Sequence, residues 1–179
     1  MLQITVPAAE RWDCLREEFV YSKQQALQLE HSLVSVSKWE ARWNKPFLSR
    51  EEMTTEEIRD YVRCMTLTQN VPDEVYDCLS QENVSQIAKY IEAPMTATTF
   101  SPDPAEGGRS IITAEIIYYW MISFNIPFEC QKWHLNRLLT LIKVCERKNR
   151  PARKRSQRDI MARNRSLNAQ RRARLGSAG

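Results

Sequence analysis

The chain predicts a mainly α fold. A compact helical domain with a short N-terminal β-ribbon is expected over residues 1–146, followed over residues 147–179 by a basic tail that is disordered or a solvated helix. Three observations carry this expectation. Apolar residues recur at three- and four-residue spacing in four separate stretches, the mark of amphipathic helices. The densest apolar material, Ile111 to Cys145, has the length of two helices rather than of strands. Charge divides along the chain: residues 147–179 hold twelve Lys/Arg against one acid, a net +11, while residues 1–146 hold fourteen against twenty-one, a net −7.

In chain order, Leu2-Gln3-Ile4-Thr5-Val6 alternates and then meets Pro7, as a short strand does. Arg16 to Tyr21, with Phe19, Val20 and Tyr21, is its expected partner, in a ribbon that holds only if packed on helices. Leu27 to Trp43 reads as the first substantial helix. Leu29, Leu33, Val36 and Trp43 share a face with Trp39 beside it, and Asn44 and Pro46 end it. Within that helix His31 reads as a polar residue on the helix face rather than a ligand.

Ser49-x-x-Glu52 and Thr54-x-x-Glu57 both have capping-box spacing. The second is the better start, because Ile58, Tyr61, Val62 and Met65 follow it as a helical stripe. Glu51, Glu52, Glu56 and Glu57 therefore read as acids drawn to helix N-termini, not as catalytic pairs. Asn70-Val71-Pro72 opens a short helix through Leu79, with Val75, Tyr76 and Leu79 inward. Ser80 caps the next, whose stripe is Val84, Ile87, Ala88 and Ile91, with Pro94 past its end. Residues 94–110, with three prolines and Gly107-Gly108, form an exposed loop.

Ile111 to Ile126 is apolar or aromatic at twelve of sixteen positions, so the expected helix is apolar on all faces, as a buried helix is. Pro127 suits the first turn of a new helix. Leu135, Leu138, Leu139, Ile142 and Cys145 give that second helix its stripe. The pair is a helical hairpin at the floor of the core.

Several chemistries lack the residues they need. Five cysteines, at 14, 64, 78, 130 and 145, form no Cys-x-x-Cys, so neither a disulfide framework nor a zinc site is expected, and a reducing cytoplasm fits. His31 and His134 stand in no His-x-x-x-His pattern. Cys130 and His134 lie four apart, but nucleophilic chemistry also requires an orienting third group and an oxyanion site. Gly107-Gly108-Arg109-Ser110 lacks the spacing of a phosphate loop. No cofactor, no metal and no enzyme activity are expected. The N-terminus carries acids and no long apolar core, so no signal peptide is expected. The longest apolar run is seven residues against the roughly 20 that span a bilayer, so no membrane partner is expected either.

The tail offers only Ile160, Met161, Leu167 and Leu175 as large apolar groups, too few to repay ordering thirty-three residues. At most, Ser156 to Leu175 forms a solvated helix capped by Ser156 and closed by Gly176. Its cations, among them Arg153, Lys154, Arg155, Arg158, Arg163, Arg165, Arg171, Arg172 and Arg174, suit nucleic acid or any acidic surface. No aromatic residue is interleaved for base stacking, and a solvated or self-docked tail is the favoured expectation over a dedicated nucleic-acid arm. The five tryptophans, Trp12, Trp39, Trp43, Trp120 and Trp133, read as core and core rim, with a groove or a protomer contact as the sharper alternative.

Three stretches carry a family resemblance. They are Leu29-Glu-His-Ser-Leu-Val-Ser-Val-Ser-Lys-Trp39-Glu-Ala-Arg-Trp43-Asn-Lys-Pro-Phe47; Ile112-Thr-Ala-Glu-Ile-Ile-Tyr-Tyr-Trp120 with Cys130-Gln-Lys-Trp133-His-Leu-Asn-Arg-Leu138; and Gln157-Arg-Asp-Ile-Met-Ala-Arg-Asn-Arg-Ser-Leu-Asn-Ala-Gln-Arg-Arg172. Together they resemble proteins encoded among the tail genes of long-tailed, non-contractile bacteriophages, and within that set the tail assembly chaperones. The resemblance spans the whole chain. It implies a helical, non-enzymatic protein of the host cytoplasm that binds the tape measure protein, keeps it soluble during assembly, and is not retained in the mature virion. From the residues themselves, the basic tail could reach the tail-tube protein, and the tryptophans allow self-association. Trp39, Trp43, Phe47, Trp120 and Trp133 are the expected partner-binding residues. A structural virion component, such as a head–tail connector or tail completion protein, and a nucleic-acid-binding accessory protein using the tail are the alternatives.

Overall fold

The computed structural model describes residues 1–13, 17–49, 52–100, 111–149 and 157–176. Strands β1 (Leu2–Val6), β2 (Ala9–Asp13), β3 (Glu18–Ser22) and β4 (Gln25–Leu29) form two antiparallel pairs, β1 with β4 and β2 with β3. Val6 faces Gln25 and Ala9 faces Ser22, so one register runs through both pairs. The break falls at Pro7, which has no amide hydrogen to give the ladder. β1 and β4 bury alternate residues, Ile4 and Val6 against Leu27 and Leu29. The expected partner of β1 was thus misplaced: Glu18–Ser22 pairs with Ala9–Asp13, and β1 takes a strand read from sequence as the start of a helix.

The first helix, α1 (Leu33–Trp43), begins six residues later than its apolar spacing suggested. The far edge of β4 is bonded to the end of the next helix, α2 (Thr55–Met65): Glu30 N donates to the Met65 carbonyl at 2.9 Å, and Leu67 N to that of Gln28 at 2.8 Å. These long-range bonds favour an extended Gln25–Leu29 over a helical one. Ser32 and Ser35 then make a reciprocal capping box, and Asn44, in the left-handed region at φ 52°, closes α1 where expected. His31 therefore sits in the strand-to-helix corner, 2 % exposed, and not on a solvated helix face.

The Thr54–Glu57 capping box starts α2, whereas Glu52 of the Ser49 box lies outside any helix. Glu51 lies outside the described residues, and Glu52 is exposed in a loop before α2. The Lys45 ammonium at 2.5 Å and the Thr54 amide hold the Glu57 carboxyl below its usual range. Thr54→Ala is expected to cost about 1 kcal/mol, read as a lower denaturant midpoint with an unchanged slope. Helix α3 covers only Glu74–Asp77, shorter than the Asn70–Leu79 expected. Ser80 caps α4 (Gln81–Glu92) with Asn83, whose side-chain amide also donates to the Thr5 carbonyl and ties α4 to β1.

Helix α5 (Ala114–Ser123) ends at a turn with Asn125 in the left-handed region, φ 52°. No second long helix follows directly. Pro127 precedes a 3₁₀ turn, Phe128–Lys132, and α6 begins only at Leu135, running to Asn149. The break is pinned by Leu135 N donating to the His31 carbonyl at 2.8 Å, and by a bridge between Ser32 and His134. Leu135, Leu138 and Ile142 are buried, while Leu139 and Cys145 pack partly buried against the core. The core joins Val6, Leu27, Leu29, Leu33, Val36, Trp39, Met65, Ile117, Met121 and Leu138. The result is a mainly helical domain with a small N-terminal antiparallel β region.

The chain divides into two units, Met1–Cys145 and Glu146–Gly179. In the second, α7 (Gln157–Leu175) is closed by Gly176 at φ 60°. Ser156, its expected cap, lies outside the described residues, as does most of the 94–110 loop. Among the described residues, no helix is long and apolar enough to cross a membrane.

Candidate partner-binding groove

The α2 stripe does not close completely on α4. Tyr61, Val62 and Met65 are buried, but Ile58 at the near end of the stripe is 44 % exposed. Across from it α4 buries Ile87 and leaves Val84 and Ile91 half-buried and Ala88 exposed. Phe47 and Met53, from the segment between α1 and α2, and Tyr76 and Leu79, from around α3, complete the walls. They enclose an apolar groove of about 380 Å³. Its charged edge is Arg59, Asp77 and Glu92, with Arg59 paired to Asp77 at 2.7 Å. Such a groove accepts the apolar face of a helix: apolar walls supply affinity and charges at the edge set orientation.

A second apolar surface lies on α5. Only Ala114, Ile117 and Met121 are buried, whereas Tyr119 is 66 % exposed and Ile122 61 %. The expectation of a helix buried on all faces is therefore wrong. One face meets the core and the opposite face keeps its aromatic and aliphatic side chains in solvent. The 3₁₀ turn adds exposed Phe128, whose ring lies 6.4 Å from that of Tyr118.

The five expected contact residues separate. Trp39 is 1 % exposed; its indole N–H donates to the Glu57 carbonyl at 3.0 Å, so it is an internal strut between α1 and α2. Trp43 stacks on it and donates to Asp60 Oδ2 at 2.9 Å, while Asp60 also holds Arg42. Phe47, 4.1 Å from the Tyr61 ring, is the one of the five that lines the groove. Trp120 and Trp133 are half-buried on α5 and before α6, and the Arg137 guanidinium lies 4.2 Å from the Trp133 ring centre. Of the named tail cations, Arg153, Lys154 and Arg155 lie outside the described residues. Arg158, Arg163, Arg165, Arg171, Arg172 and Arg174 are exposed on α7.

Sequence reasoning missed Glu40. It is buried, and its two carboxylate oxygens accept from Phe47 N at 2.8 Å and from Ala114 N at 2.7 Å. One side chain thus fixes the groove's Phe47 and satisfies the first amide of α5, where the helix dipole favours a negative charge. Nothing in the local sequence marks it, because both partners are distant in the chain.

Two buried histidines brace the same unit. His31 Nδ1 and the Tyr61 hydroxyl share a 2.5 Å hydrogen bond, and the His31 and His134 rings meet edge to face at 5.0 Å. His134 Nε2 donates to the Tyr90 carbonyl at 2.9 Å, and its Nδ1 accepts from Asn136 N. Both His134 nitrogens are thus engaged. Burial, then repulsion from His134, lowers the His31 pKa to about 3; burial lowers that of His134 as well. Between pH 6.5 and about 3 the unfolded chain binds a proton that folded His31 refuses, so stability falls as pH falls through that window. At pH 5 the His31 contribution is a loss of about 2 kcal/mol relative to pH 7, and His134 adds in the same direction. Denaturant midpoints at the two pH values should show this loss in the native chain and a smaller one in His31→Gln.

Among the described residues, no group of three or more His, Cys, Asp or Glu side chains is arranged to hold a metal ion. Compared with known proteins, the chain matches no family model, no curated protein and no solved structure.

Proposed function

We propose that this protein is a non-enzymatic tail assembly chaperone of a long-tailed bacteriophage, and that the groove between α2 and α4 holds amphipathic helical segments of the tape measure protein. The observation that carries the reading is the groove itself: apolar, and left open along Ile58 and Ala88 by the described helices of the Met1–Cys145 unit. A long apolar helical client aggregates in water, and covering one face at a time in such a groove keeps it soluble without covalent chemistry. The resemblance of the three sequence stretches supports the same assignment. The protein acts in the host cytoplasm and leaves before the virion matures.

Co-expression with the tape measure protein tests the reading. The client should move from the pellet to the soluble fraction and co-purify with the chaperone. Equal precipitation with and without this protein refutes it. The exposed α5 face favours a second reading, a structural component such as a connector or tail completion protein, because a ring of protomers needs an apolar contact of that kind. Mass spectrometry of purified particles separates the two, since only the structural component remains in them.

A further inference from the structure

Helix α7 is built like a wedge for a charged groove. Its nineteen residues carry six cations and every one is an arginine; with Asp159 the net charge is +5. Within its own unit every described side chain of α7 is exposed, so no arginine packs within that unit. At about 100° per residue, Arg158, Arg165 and Arg172 fall in one row within roughly 40° of each other. Arg163 and Arg174 fall in a second row on the opposite side; the face between the rows carries Ala162, Ser166, Ala169 and Ala173, with Asp159 and Gln170 at its margin beside the second row. An acidic protein surface needs cations on one side of a helix. Cations on two nearly opposite sides of a face made mostly of small residues suit a helix lying between two walls of negative charge.

We propose that α7 binds duplex DNA in the major groove, without sequence preference. That groove is about 12 Å wide and a helix with side chains about 10–12 Å across, so a small-residue face can approach the floor. Each arginine row then reaches one phosphate strand, where the planar guanidinium forks onto phosphate oxygens. The alanines and serine that make most of the floor read no base pattern, with Asp159 and Gln170 at its margin, and no aromatic ring is present on α7 to stack on unpaired bases, so single strands are poorer ligands. The major groove of duplex RNA is too deep and narrow for the same fit. This site is independent of the client groove, all of whose lining residues lie between 47 and 92.

The test uses the full chain and a fluorescent 20-base-pair duplex of arbitrary sequence, followed by anisotropy between 50 and 200 mM salt. Five phosphate contacts give a log–log salt slope of about −4.5, a loss of several hundredfold across that range. Arg158→Gln/Arg165→Gln/Arg172→Gln should flatten the slope by about 3 and Arg163→Gln/Arg174→Gln by about 2, while Arg171→Gln, outside both rows, changes it by less than either. Cations of residues 147–155 add to the total slope but not to these differences. Circular dichroism should show helix gained on adding duplex. The substituted arginines all belong to the second unit, and unchanged denaturant midpoints verify that the N-terminal unit stays folded. Four results overturn the proposal: no binding at 50 mM salt; loss confined to one arginine row; single-stranded DNA or duplex RNA bound as tightly as duplex DNA; or polyglutamate competing as well as DNA.

Discussion

On the proposed chaperone reading, Ile58→Arg is expected to abolish client capture while leaving the fold intact. Ile58 lines the groove yet is 44 % exposed, so its replacement removes little core contact. A client helix seated there would forfeit the burial of one aliphatic side chain, about 1.5–3 kcal/mol, and would have to desolvate a guanidinium. The combined loss of about 3 kcal/mol or more corresponds to at least a hundredfold in affinity. In co-expression the tape measure protein should return to the pellet. The denaturant midpoint should shift by less than the equivalent of about 1 kcal/mol, as for a surface substitution. Ala88→Arg, on the opposite wall, should act alike. Tyr119→Arg on α5 is the counter-test: loss of capture there with Ile58→Arg inert would move the client site to the α5 face.

Local chemistry made much of this structure readable in advance. Thr54-x-x-Glu57 marked the start of α2, Ser80 that of α4, Asn44 the end of α1 and Gly176 the end of α7. Each is a contact over a few residues, so the sequence contains it whole. The failures share a cause of the opposite kind. Gln25-Ala26-Leu27-Gln28-Leu29 alternates like a strand, but Leu29, Leu33 and Val36 also fit a helix, and short apolar runs do not separate the two. Bonds from Glu30 to Met65 and from Leu67 to Gln28 decide between them, and they join residues far apart in sequence.

The candidate site was half visible for the same reason. The stripe Ile58, Tyr61, Val62 and Met65 is legible in the sequence, yet nothing in it says which end stays uncovered once α4 arrives. Phe47, one of the five expected contact residues, lines the groove. On α5, twelve apolar residues in sixteen suggested burial from every side. An apolar helix looks alike in sequence whether its outer face meets the core or is left for a partner. The adjacent rings Tyr118, Tyr119 and Trp120 were the available hint, because such side chains are favoured at interfaces.

Trp39 separates a structural role from a binding role most sharply, and Trp39→Ala is expected to destabilise the protein by about 3–5 kcal/mol. The indole is almost wholly enclosed, stacked against Trp43 at 6.3 Å and edge-on to Phe47 at 5.4 Å. Truncation removes a large apolar volume that neighbours held by their own hydrogen bonds refill poorly: Trp43 is tied to Asp60, and Phe47 to Glu40. It also leaves the Glu57 carbonyl without its indole donor. Against a total stability of about 5–15 kcal/mol for a domain of this size, that loss should lower the denaturant midpoint sharply at constant slope. Trp39→Phe restores most of the volume but not the N–H, so it should cost about 1–3 kcal/mol. Had Trp39 been a surface contact, both variants would weaken client capture and leave the midpoint unmoved. With the indole as a strut, Trp39→Phe should still capture the client at a temperature where it remains folded, and only Trp39→Ala should fail, through unfolding.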